Sequence, residues 1–291
     1  MALSEAVAMA PLGAADVDAG LALSDAAGWN QTADDWAFFI EHGHAIGHRG
    51  NDDDDSDRRL VATAAALPFG HALGWISMVL VAPSHRQRGL ATALLAECIR
   101  WLAASGRTAV LDATPDGEPV YRRLGFASGF AFARWQGEGG ATRTPTSWPP
   151  TSVSTAAGIA DIADIVSLDA AAGSAPRAAL LRALLSRPGS RAWLSPHRSG
   201  FVVARAGRRA TQVGPLVAAS ATEAMTLLDS ALDATTGRAF VDVPERSVAI
   251  AAALERRGFT RQRPFVRMAL GGGPVLTLGE RVHALAGPEF G

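Results

Sequence analysis

The sequence contains no lysine; all 27 of its basic residues are arginine. That excludes a Schiff-base lysine and any self-acylation on lysine side chains, and arginine is too basic to serve as an ordinary general base. Cysteine occurs once, at Cys98, which rules out an intramolecular disulfide framework and a multi-cysteine zinc site and suits a reducing compartment. Tyrosine also occurs once, at Tyr121. Charged residues are only 19% of the chain and the formal net charge is −1, so no bulk attraction to nucleic acid or to an anionic membrane is expected. No apolar run is long enough to span a bilayer, and Met1 to Leu12 carries Glu5 but no basic leader region. A soluble, unprocessed, cytoplasmic protein is therefore expected.

What is present is a globular composition, 48% hydrophobic, over 291 residues, a length that favours two domains. Ala14 to His42 predicts two short helices, the second starting at Thr32-Ala33-Asp34-Asp35. Strands follow at Ala45 to His48 and Arg59 to Leu67, separated by an acidic turn from Gly50 to Asp57 that lacks the ligand spacing of a calcium loop and reads as a solvated hairpin. Trp75 to Val81 is a near-continuous apolar run of the kind a strand buried on both faces shows. A basic glycine-containing turn leads from it into a helix, Leu90 to Ala104, and then come a strand at Thr108 to Ala113, a short helix at Pro119 to Leu124 and a strand at Phe126 to Trp135. The Gly-, Thr- and Pro-rich stretch at 138–151 reads as a linker between domains at 1–137 and 152–273, with a tail at 274–291.

The second half repeats the order of elements. Its helices fall at Ile159 to Ala172, Arg177 to Ser186, Thr222 to Leu232 and Val248 to Arg257, and its strands near Ala192 and at Phe201 to Ala206, Ala210 to Val217, Ala239 to Val243 and Phe265 to Leu270. Tyr121-Arg122-Arg123-Leu124-Gly125-Phe126 has a counterpart in Leu254-Glu255-Arg256-Arg257-Gly258-Phe259. Two copies of one fold, each a mixed α/β (α+β) sheet flanked by helices, account for both observations.

The turn Val81-Ala82-Pro83-Ser84-His85-Arg86-Gln87-Arg88-Gly89-Leu90-Ala91 sets a strand end, a basic glycine turn and a helix start in succession. Small side chains at Gly89 and Ala91 let backbone N–H groups from Gln87 to Thr92 approach a pyrophosphate, the helix N-terminus adds a favourable dipole, and Arg86 and Arg88 supply charge. A solvated turn is the alternative reading of the same residues. Arg86-x-x-Gly89-x-Ala91, followed by Asp112 to Gly117 and by Tyr121-x-x-x-Gly125-Phe126, resembles the GNAT superfamily of acyltransferases, whose signature is Gln or Arg, two residues, Gly, one residue, then Gly or Ala. Ala27 to Thr32 with Asp35-Trp36, together with the closing Ala286 to Gly291, resembles a bacterial tandem-domain group within it.

The resemblance implies an N-acetyltransferase that uses acetyl-CoA as co-substrate and a primary amine of a small molecule or peptide as acceptor. It implies that the backbone at Met78, Leu80 and Val81 and the turn residues Arg86, Gln87, Arg88, Gly89, Leu90, Ala91 and Thr92 hold the co-substrate. It also gives Tyr121 the role of protonating the departing sulfur, which a phenol beside a leaving thiolate can do. Trp29, Asn30 and Trp36 would line the acceptor cleft, although an amphipathic helix anchor explains both tryptophans as well. Glu41, His42, His44, His71 and Asp112 are candidates for the base, as is water.

The second copy reads Val213 to Ala221 where the turn should be and Leu254 where the tyrosine should be, so it is expected to be degenerate. Cys98 lies in an apolar helix and reads as a buried structural thiol. No metal, nucleic acid or membrane partner is expected, and monomer and homodimer both remain open. The competing class is a non-catalytic acyl-CoA sensor or assembly module, against which the retained Tyr121 speaks.

Overall fold

The computed structural model describes residues 9–50, 59–140, 155–156, 158, 161–173, 176–273 and 278–291. The chain divides into two compact units, Met1–Ala109 and Val110–Gly291. The acidic turn and most of the expected linker lie outside the described residues.

In the first unit four strands run antiparallel in the order β1 (Met9–Pro11), β2 (His44–Arg49), β3 (Leu60–Phe69) and β4 (Leu73–Val81). Every residue of β3 except Pro68 is buried, which demands cover on both faces, and α1 (Val17–Ala26), α2 (Ala33–His42) and α3 (Leu90–Ala104) all pack against it. The alanines of β3 leave room for that close approach. Helix α2 begins where the sequence predicts. The Thr32 hydroxyl accepts from the Asp35 N–H at 3.3 Å and the Asp35 carboxylate accepts from the Thr32 N–H at 2.7 Å, a reciprocal cap of about 1 kcal/mol. On α3 the apolar stripe Leu94, Leu95, Cys98 and Leu102 is fully buried, and Gly74 is required where Leu102 lies against β4. Burial pushes the Cys98 thiol up to about 12, with Glu97 adding to the effect, so this cysteine is a packing group.

The second unit is built on strands in the order β5 (Thr108–Ala113), β12 (Thr260–Leu270), β6 (Phe126–Gly139), β11 (Gly237–Pro244), β10 (Thr211–Val217), β9 (Phe201–Arg205), β8 (Arg191–Leu194) and β7 (Thr155–Ala156). Its helices are α4 (Glu118–Arg123), α5 (Ile162–Ala171), α6 (Ala178–Ser186), α7 (Ala221–Asp233) and α8 (Val248–Arg256). Two arrangements here are not visible in the order of elements. Strand β6 is inserted between β11 and β12, pairing antiparallel with both. Its side chains alternate with the period of two that a central strand imposes. Ala133 and Trp135 enter a core with α7 and α8 residues such as Leu228 and Leu254, while Phe132 enters another with Ile165, Phe201 and Phe265.

The other arrangement is a short strand, β13 (Val282–Ala284). Strands β10 and β11 run parallel only from Thr211 opposite Ala239 to Val213 opposite Val241. Past that point β13 pairs with β10, Leu216 opposite Ala284 and Val217 opposite Val282, and the Leu285 N–H donates to the Asp242 carbonyl of β11 at 2.9 Å. Part of the tail is thus a strand between two others, and Leu285, Ala286 and Phe290 are almost fully enclosed. Arg177 ties it down by donating to the carbonyl oxygens of Phe290 and Gly291, and Arg205 pairs with Glu289 at 2.6 Å.

Candidate active site

Strand β4 carries a bulge. Ala65 faces Ser77 and Thr63 faces Leu80, so Met78 and Val79 together oppose Ala64 alone. Met78 sits at φ 54°, a conformation that costs an L-residue about 1–2 kcal/mol. The Thr63 hydroxyl holds the bulge by donating to the Met78 carbonyl at 2.9 Å, and the two side chains are buried. The Met78 and Leu80 side chains are buried, and the Met78 carbonyl is held by β3.

Beyond Val81 the chain makes a short 3₁₀ turn at Pro83–His85 and then a left-handed corner, with Gln87 at φ 62° and Gly89 at φ 78°. Arg86 Nε donates to the Val81 carbonyl at 3.4 Å, and Arg88 Nη2 donates to the Ser84 carbonyl at 3.1 Å. These bonds fold the two stems back over the turn and leave the residues from Arg86 to Gly89 exposed. Helix α3 then starts with Gly89 at its N-cap and no side chain capping it. Among the described residues no acceptor meets the N–H groups of Gln87, Arg88 or Gly89, and the first turn of any helix leaves further N–H groups open. A cluster of unsatisfied donors at a positive helix end, flanked by two guanidinium groups, fits a pyrophosphate.

Tyr121 lies on α4 in the second unit. Gly117 makes room for its ring, since a Cβ there would come within 2.8 Å of Cε2, and the Phe126 ring lies 6.1 Å away, centroid to centroid. Among the described residues the phenol makes no hydrogen bond. Burial pushes it up to about 12, which keeps the proton on oxygen at any physiological pH.

The remaining expected residues divide. Trp36 is completely buried; its ring covers Gly20 and its Nε1 donates to Ser24 at 3.1 Å, so it joins α1 to α2 and lines no cleft. Asn30 is buried and Trp29 is partly exposed. Among the candidate bases, Asp112 is fully enclosed and held by Arg267 in a two-bond pair, 2.9 Å each, which makes it a strut of β5 and β12. His44 stacks on Trp101 at 5.2 Å with Glu97 3.3 Å from Nε2, and Glu41, His42 and His71 are exposed.

The corresponding turn in the second half shows how such a place looks when closed. Ser220 caps α7, its hydroxyl accepting from the Glu223 N–H at 3.2 Å, and the Glu223 carboxylate accepts from the Ala219 N–H at 2.7 Å. Burial alone would raise Glu223, but hydrogen bonds from Ser195, Ser199 and the Ala219 N–H outweigh it and hold the carboxyl below its usual range. A carboxylate of the chain occupies the helix end, and β13 fills the gap between the diverging strands. Sequence reasoning identified the missing turn and tyrosine but had no signal for either plug.

Residues 22–126 match the model of the Acetyltransferase (GNAT) family, and residues 165–284 match that of an Acetyltransferase (GNAT) domain. No curated protein is significantly similar in sequence. Among solved structures, a candidate acetyltransferase from Pyrococcus horikoshii superposes with TM-score 0.78 at 16% identity, covering 100% of this chain and 98% of the other. A tandem GNAT protein from the clavulanic acid biosynthesis pathway gives TM-score 0.64 at 18% identity, covering 92% and 99%. A GCN5-related N-acetyltransferase from Sphaerobacter thermophilus gives 0.60 at 14%, covering 90% and 94%. At these identities the structures speak for the fold alone.

Proposed function

Because the chain belongs to the GNAT acetyltransferase superfamily, with one such domain in each half, we propose that it is a single-site N-acetyltransferase taking acetyl-CoA and a primary amine of a small molecule or peptide. The observation that carries this reading is the contrast between the two strand-to-helix turns. After β4 the N–H groups of Gln87 to Gly89 are open and Arg86 and Arg88 stand beside them; after β10 the Ala218 N–H is bonded to the Arg281 carbonyl, the Ala219 N–H to the Glu223 carboxylate and the Glu223 N–H to the Ser220 hydroxyl. On this reading the turn from Arg86 to Thr92 holds the pyrophosphate and the backbone of β4 at Met78 to Val81 holds the pantetheine arm. Acetyl-CoA supplies the activated acyl group, and Tyr121 keeps a proton available for the departing thiolate. The second half carries the tail and contributes no second site.

Calorimetry with acetyl-CoA on wild type, Gly89→Trp and Tyr121→Phe, followed by thiol release over a panel of amines, tests this. One site per chain, abolished by Gly89→Trp and retained by Tyr121→Phe with slow turnover, is expected. Two equivalent sites would refute the closed second half. Binding without turnover on any amine would leave an acyl-CoA sensor.

A further inference from the structure

Among the described residues the second unit buries four arginine–carboxylate pairs: Arg134 with Asp242, Arg177 with Asp169, Arg205 with Glu289 and Arg267 with Asp112. Arg263 is left over. It is partly buried on β12, its Nε is shielded from solvent with no hydrogen-bond partner, and among the described residues no carboxylate or carbonyl accepts from its guanidinium. Its direct partner across the antiparallel pair with β6 is Arg134, another cation. Like charges placed opposite one another in a sheet oppose folding, and here Asp242 is already bonded to Arg134 and to Gln212. What Arg263 does touch is the face of Phe265, with the guanidinium carbon 4.9 Å from the ring centroid. Burial and the repulsion of Arg134 both hold Arg263 below the usual guanidinium range, against the weaker pull of Asp242 and Asp116, so the local field is short of negative charge.

The register of β12 places this residue beside the connection that leads into α4. Strand β12 runs antiparallel to β5 with Val266 opposite Ala113, so Pro264 and Arg263 continue past the end of β5, where residues 114–117 lead into α4. Asp116 of that connection is one of the groups whose charge Arg263 feels. A planar guanidinium on an aromatic shelf, with no carboxylate bonded to it among the described residues, matches a carboxylate better than any neutral group.

We propose that Arg263 is an anion-binding residue that receives a carboxylate of the acceptor, so that the acceptor class is an amino acid or another amine bearing a carboxylate. The assignment of the anion to the acceptor rests on the acetyltransferase reading; the anion site itself does not.

Two experiments separate these. Benzoate binding is measured by calorimetry without acetyl-CoA on wild type, Arg263→Met and Arg263→Lys, with inorganic phosphate as competitor. Thiol release from acetyl-CoA is then compared for phenylalanine and phenethylamine, which differ by the carboxylate. Wild type is expected to bind benzoate, Arg263→Met to lose it at least tenfold and Arg263→Lys to keep part of it. The preference in kcat/KM for phenylalanine over phenethylamine should fall at least tenfold in Arg263→Met, with phenethylamine unaffected. Because the methionine removes a cation facing Arg134, its melting temperature should equal or exceed that of wild type. Equal benzoate affinity in wild type and Arg263→Met, absence of benzoate binding by wild type, or preferential binding of phosphate would overturn the carboxylate site. A large drop in melting temperature for Arg263→Met, restored by Arg263→Lys without any change in benzoate binding, would show a structural cation instead. Benzoate binding through Arg263 with no turnover of either amine would uphold the anion site and overturn its assignment to an aromatic amino-acid acceptor.

Discussion

Arg267 and Asp112 stand directly opposite each other on β12 and β5, joined by two hydrogen bonds of 2.9 Å, with Arg267 also 4.7 Å over the ring of Phe130. Both are buried, so removing one leaves the other charged and unsolvated. Asp112→Asn should destabilise the fold by about 3–5 kcal/mol, and Asp112→Leu combined with Arg267→Met should recover most of the loss. Urea unfolding of the three variants checks this. A double variant as unstable as the single one would mean that the pair is not the source of the effect.

Tyr121 is the only tyrosine, so its ionisation can be read directly from tyrosinate absorbance. The midpoint should lie at about 12 in the folded protein, against the ordinary tyrosine value of 10.0. The folded pKa is raised, so the stability it reflects is fully present below pH 10 and is lost as pH rises towards 12. Between those limits wild type should lose about 2 kcal/mol relative to Tyr121→Phe. A folded-state midpoint near 10 would show that the phenol is solvated.

If Tyr121 acts as general acid, Tyr121→Phe should lower kcat by about 10²–10⁴-fold while leaving acetyl-CoA affinity within a factor of two or three. Gly117→Ala should lower kcat too, because its Cβ would lie 2.8 Å from the tyrosine ring and displace it. Wild-type rates in the alanine variant would mean that the position of the ring is immaterial.

The tail gives an independent prediction. Phe290 is wholly buried beneath Arg205, whose guanidinium carbon is 5.5 Å from its ring, so Phe290→Ala should cost about 3–5 kcal/mol. At Gly214, φ is 144° and an added Cβ would overlap the Leu285 carbonyl, so Gly214→Ala should be destabilising as well. Neither variant should gain a second acetyl-CoA site, since Glu223 still occupies the start of α7. Chemical unfolding and calorimetric stoichiometry test the two parts separately.

Local patterns carried much of this structure. The apolar period of Leu90 to Ala104 is the full extent of α3, and the polar start at Thr32 is a reciprocal cap. Pairing partners were not legible, because a strand's alternation says that both faces are covered and not which strands flank it. Nothing in Phe126 to Gly139 distinguishes insertion between β11 and β12 from a place at a sheet edge. Burial of a tryptophan on an amphipathic helix is equally silent about whether it faces core or cleft, and the answer for Trp36 came from Gly20, sixteen positions earlier. Arg263 was hidden for a similar reason: among many arginines, an unmatched one is recognised only after the acids have been assigned.

The placement of β6 also constrains how the chain is made. Ala131 pairs with Val266 and Trp135 with Val241, separations of more than a hundred residues. On the ribosome, therefore, β6 emerges long before either neighbour exists, with Phe132 and Trp135 exposed until β11 and β12 arrive. Contacts so distant in sequence close slowly. Synthesis arrested within the second half should leave a species that chaperones hold and proteases cut near β6, and ribosome-bound chains of increasing length would show protection of that strand only after β12 has cleared the exit tunnel.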